Sequence, residues 1–108
     1  MEYVNKIVRP AISTNEVIPY NITVSDIPTS PDTNVITSAL RFDTSNPVDT
    51  GVDISTKIAK STNVLQVQNI WLGSETPKEG TYRIRILFST ANSSTKAEVN
   101  IEQVVYRA

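Results

Sequence analysis

An all-β fold, two antiparallel sheets of about seven strands closed on one core, is what this sequence predicts, and three observations predict it. The first is composition: twelve Val and twelve Ile stand against only four Leu, and β-branched side chains suit a pleated surface better than a helix. The second is punctuation, since turn formers recur roughly every dozen residues with no long helical period between them. The third is a hairpin written out near the end of the chain. Tyr82, Ile84, Ile86 and Phe88 alternate with Arg83, Arg85, Leu87 and Ser89, then Ala91-Asn92-Ser93-Ser94 turns the chain, and Ala97, Val99 and Ile101 alternate with Glu98, Asn100 and Glu102.

For both apolar faces of that hairpin to meet one core, odd residues must pair with even ones. This parity puts Arg83 and Arg85 on the outer face with Glu98 and Glu102, where opposite charges favour the register by roughly 0.2–1 kcal/mol each.

In chain order, Tyr3 to Arg9 reads as a first strand ended by Pro10. Ala11 to Pro19 reads as a connector or a short edge segment, because Pro19 cannot donate to a ladder. Tyr20, Ile22 and Val24 alternate with Asn21, Thr23 and Ser25 in a strand that stops at Asp26-Ile27-Pro28. Thr29 to Asn34 is a loop of turn formers. Val35 to Phe42 reads as a strand with Ile36, Leu40 and Phe42 on its buried face, interrupted there by Ser38. Asp43 to Gly51 is irregular, and Val52 to Ile58 reads as a strand on its Val, Ile and Thr content, with one turn of helix the competing reading. Val64 to Leu72 is a strand with Leu65, Val67 and Trp71 on one face, and Gly73 to Lys78 is a polar corner. At Gln103 the alternation slips, and the adjacent Val104 and Val105 predict a β-bulge. Residues 1–108 thus form one domain, with no internal repeat or linker.

Charge and chemistry narrow the functions. Ten basic and eleven acidic residues lie scattered, for a net charge of −1, so no basic row exists to neutralise phosphates and nucleic acid is not an expected partner. The chain has no Cys and no His, which removes disulfides, thiolate chemistry and the commonest general base and transition-metal ligand. No run is apolar and long enough for a signal core or a membrane span, so the expectation is a complete cytosolic product. The Asn-x-Ser/Thr sequons at Asn21 and Asn92 are then coincidental.

With the strands lettered A to G, Gly80-Thr81-Tyr82 opens the sixth. This resembles the tyrosine corner of immunoglobulin-like and fibronectin-like sandwiches, which implies that the Tyr82 hydroxyl bonds back across the preceding arch, Gly73 to Glu79. The chain departs from antibody domains in lacking the Cys pair and in carrying its only Trp, Trp71, at the end of the fifth strand. A jelly roll similar to those of carbohydrate-binding modules is the rival, on the last strand, Val99-Asn100-Ile101-Glu102-Gln103-Val104-Val105. Small Ig-like chains that begin at their own Met, lack Cys, and are rich in Thr, Ser and Asn resemble bacteriophage virion accessory proteins, head decoration or cement proteins above all. That resemblance implies a non-enzymatic structural protein, located in virions assembled in the host cytoplasm. Its partners would be the major capsid protein or other virion subunits, with a homo-oligomer, a trimer for instance, as a further possibility. No catalytic residue, cofactor or metal is then expected, and Tyr82, Gly80 and Trp71 are structural. A tail or baseplate subunit is the alternative within the same class.

Three sharper chemistries compete. Asp49-Thr50-Gly51-Val52-Asp53 resembles the catalytic turn of retroviral-type aspartic proteases, in which paired Asp residues share a proton. Here it follows Asn46-Pro47 rather than an apolar strand, and Gly73 and Gly80 are too few for a Gly-rich flap. A plain turn is the simpler account. Asp43, Ser45, Asn46, Asp49 and Asp53 crowd oxygen donors into one loop, which offers a Ca²⁺ site without EF-hand spacing or, more simply, a solvated polar loop. Trp71, Tyr82 and Tyr20 offer a sugar-stacking platform or, more simply, core packing.

Overall fold

The computed structural model describes residues 2–23, 35–61, 64–89 and 96–108, and these form nine strands and one 3-10 turn. They are β1 (Glu2–Val8), β2 (Ile12–Ser13), β3 (Tyr20–Thr23), β4 (Val35–Asp43), β5 (Val52–Asp53), β6 (Ile58–Ser61), β7 (Val64–Val67), β8 (Gly80–Ser89) and β9 (Lys96–Tyr106). The larger sheet runs β1-β9-β8-β4-β5, with β2 also on β9, and the smaller runs β3-β7-β6. Lettered B, C, C′, D, E, F and G from β3 onward, this order puts B, E and D in one sheet and C′, C, F and G in the other. That is the immunoglobulin-like arrangement. The expected turns at 29–34 and Ala91–Ser94 lie outside the described residues.

The hairpin pairs as its alternation requires: Ile84 with Ile101, Ile86 with Val99, and Arg83 with Glu102. Ile84, Ile86, Val99 and Ile101 are fully buried. They meet Ile22, Leu65 and Val67 of the smaller sheet in one core cluster. Each such side chain contributes roughly 1.5–3 kcal/mol by leaving water.

Ladders on the N-terminal side are parallel, β1 and β2 both lying along β9. Between them the strand slips. Val8 pairs with Glu102 but Ile12 with Val105, so four steps on one side match three on the other. The irregularity expected in β9 at Gln103 therefore belongs to the neighbouring edge, at Arg9-Pro10-Ala11, while the β8–β9 register runs unbroken to Val105. Gln103 points inward and is buried, and its side-chain amide donates to the Pro10 carbonyl at 2.8 Å. A polar residue keeps the inward alternation there because the kinked edge leaves a carbonyl in need of a donor.

Three other expectations are corrected. In β4, Ile36 pairs with Phe88 but Ser38 with Leu87, so a bulge at Thr37 moves every later side chain to the opposite face. Ala39 and Arg41 are buried, whereas Leu40 and Phe42 lie on the outer face. The segment Val52 to Ile58 is no continuous strand: β5 ends at Asp53, a 3-10 turn spans Ser55–Lys57, and β6 begins at Ile58. Here the chain crosses from one sheet to the other, with Ile54 fully buried at the crossing and its N–H on the Ala39 carbonyl at 2.9 Å. Finally, β7 stops at Val67 rather than Leu72, because the Asn69 side chain takes the Trp71 N–H at 3.0 Å and offers the backbone a turn in place of a ladder.

Candidate functional site

Both faces of β4 and β8 carry arginines laid on aromatic rings. On the inner face the Arg41 guanidinium sits 4.5 Å from the Trp71 ring centre and 5.8 Å from that of Tyr82. Trp71 and Tyr82 meet edge to face at 5.1 Å. Arg41 is only 6% exposed, and its charge is met in full. Its Nη1 donates to Glu75 Oε1 at 2.8 Å and to the Ile70 carbonyl at 2.6 Å, and its Nη2 donates to Glu75 Oε2 at 2.5 Å. Those hydrogen bonds from Arg41 hold the Glu75 carboxyl below its usual range, assisted by the Leu72 N–H. One ion pair thereby ties the 68–79 loop to the core.

Tyr82 closes the same loop from the other side. Its hydroxyl donates to the Lys78 carbonyl at 2.9 Å, and its ring lies against Gly80, whose φ of +153° leaves the chain free to turn into β8. Burial, and then the nearby Asp43 charge, raise the phenol's pKa. Trp71, Tyr82 and Tyr20 are all buried, so none of them presents an open ring for a sugar. The Arg9 guanidinium caps the Tyr20 ring at 3.9 Å, and burial holds that phenol protonated far above its ordinary range.

In the Asp43–Gly51 loop the carboxylates are spent on the backbone. Asp49 accepts the Asp43 N–H at 2.7 Å and the Gly51 N–H at 2.8 Å, which lowers its pKa. Asp43 accepts the Ser45 hydroxyl and N–H, and Asp53 accepts the Ser55 N–H. Among the described residues no three acidic side chains converge as a metal site would require. The Asp49-Thr50-Gly51 tripeptide shapes a turn. Gly51 has φ +91°, and a Cβ there would stand 2.9 Å from the Phe42 ring. Only glycine lets Phe42 lie flat on the outer face.

That outer face is the candidate site. A shallow recess of about 550 Å³ runs across it, with Lys6 from β1, Glu98, Asn100 and Glu102 from β9, and Thr81, Arg83 and Arg85 from β8 along its walls. Arg83 and Arg85 lean toward β4, their guanidiniums 4.8 and 5.4 Å from the centre of the Phe42 ring. The expected cross-strand ion pairing is met at Arg85, by Glu98 at the long distance of 3.8 Å, and not at Arg83 among the described residues. Arg85 Nε stands 3.8 Å from Glu98 and has no hydrogen-bond partner among the described residues. Arg83, Lys6 and Glu102 make no ion pair among those residues. The other oxygen of Glu98 accepts the Asn100 side-chain amide at 3.1 Å.

Sequence reasoning placed Arg83 and Arg85 outside but missed Phe42 and Arg41, because the bulge at Thr37 exchanges their faces. A possible signal was Arg41 itself, a charge at a position adjoining four apolar or small ones, with Trp71 and Glu75 downstream to receive it. Compared with family models, with curated proteins and with solved structures, the chain has no significant match. Its class rests on strand order and core alone: an all-β, immunoglobulin-like sandwich.

Proposed function

We propose that this chain is a non-enzymatic structural subunit of a bacteriophage virion, a head decoration or cement protein that binds the assembled capsid and stabilises it. The observation behind this reading is where the unengaged surface lies. Most of the described apolar side chains are drawn into one core between the sheets, though Val8, Val17, Ile18, Val48 and Tyr106 stay exposed, while the recessed outer face and the edge of β1, unpaired on its outer side among the described residues, are available for contact. β1 and β9, the terminal strands, lie side by side at that edge. An edge strand can extend a neighbour's sheet by backbone pairing, and a broad polar face can add contacts around it.

A protein that binds the closed lattice and not its free subunits shifts assembly by mass action, by about 2.7 kcal/mol per site at a hundredfold excess over Kd. Many copies at neighbouring sites raise the effective concentration further. Sedimentation with purified capsids, together with copy number in purified particles, is the test. Saturable binding at the repeat of the capsid lattice is expected. A handful of copies per particle would move the protein to the tail or baseplate, and its absence from particles would end the virion reading.

A further inference from the structure

We propose that the outer face of the larger sheet is a receptor for an acidic peptide segment of a partner protein, with Arg83 and Arg85 gripping its carboxylates. Cross-strand pairing with Glu98 and Glu102 would have been the simplest use of these arginines, and the geometry delivers only half of it, a long Arg85–Glu98 ion pair. Arg83 has no ion pair among the described residues, and the one carboxylate near Arg85 stands 3.8 Å from a nitrogen that stays without a hydrogen bond. Both guanidiniums are racked on the Phe42 ring, at 4.8 and 5.4 Å. That ring is itself seated against Gly51, where a Cβ would come within 2.9 Å.

A guanidinium seated on a ring is held in orientation while its outward N–H groups can still meet a carboxylate, through Nε and Nη at the exposed Arg83 and through the Nη groups alone at Arg85, whose Nε is buried. The recess in front of the pair, about 550 Å³, is of the size that small ligands and short chain segments occupy.

Phosphate polymers would also seek arginines, but Glu98 and Glu102 line the same recess and the whole chain carries a net charge of −1. A continuous row of phosphates must pass over those carboxylates. A peptide can set single carboxylates on Arg83 and Arg85 and keep its neutral backbone above Glu98 and Glu102. The glutamates thus act as the repulsive element that excludes polyanions. This inference does not rest on the virion reading, and its test needs no capsid.

Fluorescence anisotropy of a fluorescein-labelled hexapeptide of alternating Asp and Gly, titrated with the full chain, reads the binding directly. Saturable binding that weakens with added salt is expected. Arg83→Ala and Arg85→Ala should each weaken it about tenfold. The double variant Arg83→Lys with Arg85→Lys keeps both charges but loses fork and stack, and should weaken it nearly as much. Glu98→Gln with Glu102→Gln should tighten it and admit a labelled oligothymidylate that the unaltered protein rejects. Trp71 fluorescence, which reports the opposite face, verifies that each variant is folded. The proposal is overturned by any of four results: no saturable peptide binding, equal binding by the lysine double variant, equal binding of a Lys–Gly hexapeptide, or tighter binding of the oligothymidylate than of the peptide.

Discussion

Arg41 and the Arg83–Arg85 pair do opposite things with the same chemistry, one residue's thickness apart. Each guanidinium lies on an aromatic ring: Arg41 over Trp71 and Tyr82, Arg83 and Arg85 over Phe42. Inside, the charge is sealed from water, so it must be met completely, and both Glu75 oxygens and the Ile70 carbonyl meet it. Outside, Arg83 is open to water and Arg85 keeps about a third of its side chain exposed, 34%, so a complete set of protein partners is not required and the ring contact helps to set the orientation. A buried arginine is therefore part of the fold, and an exposed one on a rack is free to act on something else.

The sharpest way to break the comparison is at its inner half. Arg41→Ala removes a buried stem from between two rings and strands Glu75 and the Ile70 carbonyl, and should cost about 2–4 kcal/mol in denaturant unfolding. Since Glu75 keeps some contact with water, the lower half of that range is expected. Arg41→Met combined with Glu75→Leu should recover most of the loss, because matched apolar side chains often replace a buried pair without penalty. Recovery would show that burial, and not the charge pair as such, is what stabilises the loop.

Next in size is Gly51→Ala, which forces a side chain into positive φ and against Phe42. A loss of about 1–3 kcal/mol is expected, along with weakened peptide binding as the ring shifts. Unchanged binding in that variant would separate the rack from the receptor. Tyr82→Phe deletes the hydroxyl bond to Lys78 and should cost about 1 kcal/mol, with the Trp71 contact preserved. Smallest is the outer half, where Arg83→Ala or Arg85→Ala should change stability by less than about 1 kcal/mol.

Acid sharpens the same contrast. The folded protein holds Glu75 below its ordinary pKa, chiefly through Arg41, so its contribution is fully present above the unfolded value of about 4.3. It drains away as pH falls through the depressed folded value. The stability gap between the unaltered protein and Glu75→Gln, measured by urea unfolding, should therefore be wide at neutral pH and shrink in acid. A gap that does not narrow would mean that the carboxylate's charge contributes nothing.

Much of this was legible in the residues. The alternation of Tyr82 to Phe88 and of Ala97 to Ile101 specified a hairpin, and its parity carried straight through to the pairing of Ile84 with Ile101. Where the reading failed, a single inserted or slipped residue was at work. Thr37 in β4 and the Arg9–Ala11 kink each shift a ladder by one, and with a period of two a single step exchanges inside for outside. Nothing local to Val35–Phe42 announces that step, because Leu40 and Phe42 look better suited to a core than Arg41 does. Trp71 was misplaced onto a strand for a related reason: the Asn69 side chain competes for its N–H over a span too short to alter the hydrophobic pattern.

By itself the sequence determined the class of fold, since β-branched content and period-two alternation depend only on neighbours along the chain. It also determined which way the final hairpin faces. Only the tertiary structure decided that Arg41 goes in and Phe42 comes out, because that choice turns on Glu75 and Ile70 arriving from a loop some thirty residues later. The same folding carried Gly51 up against the Phe42 ring and brought Arg83 and Arg85 onto that ring from the neighbouring strand. Partners that meet only through the fold leave no local trace in the chain.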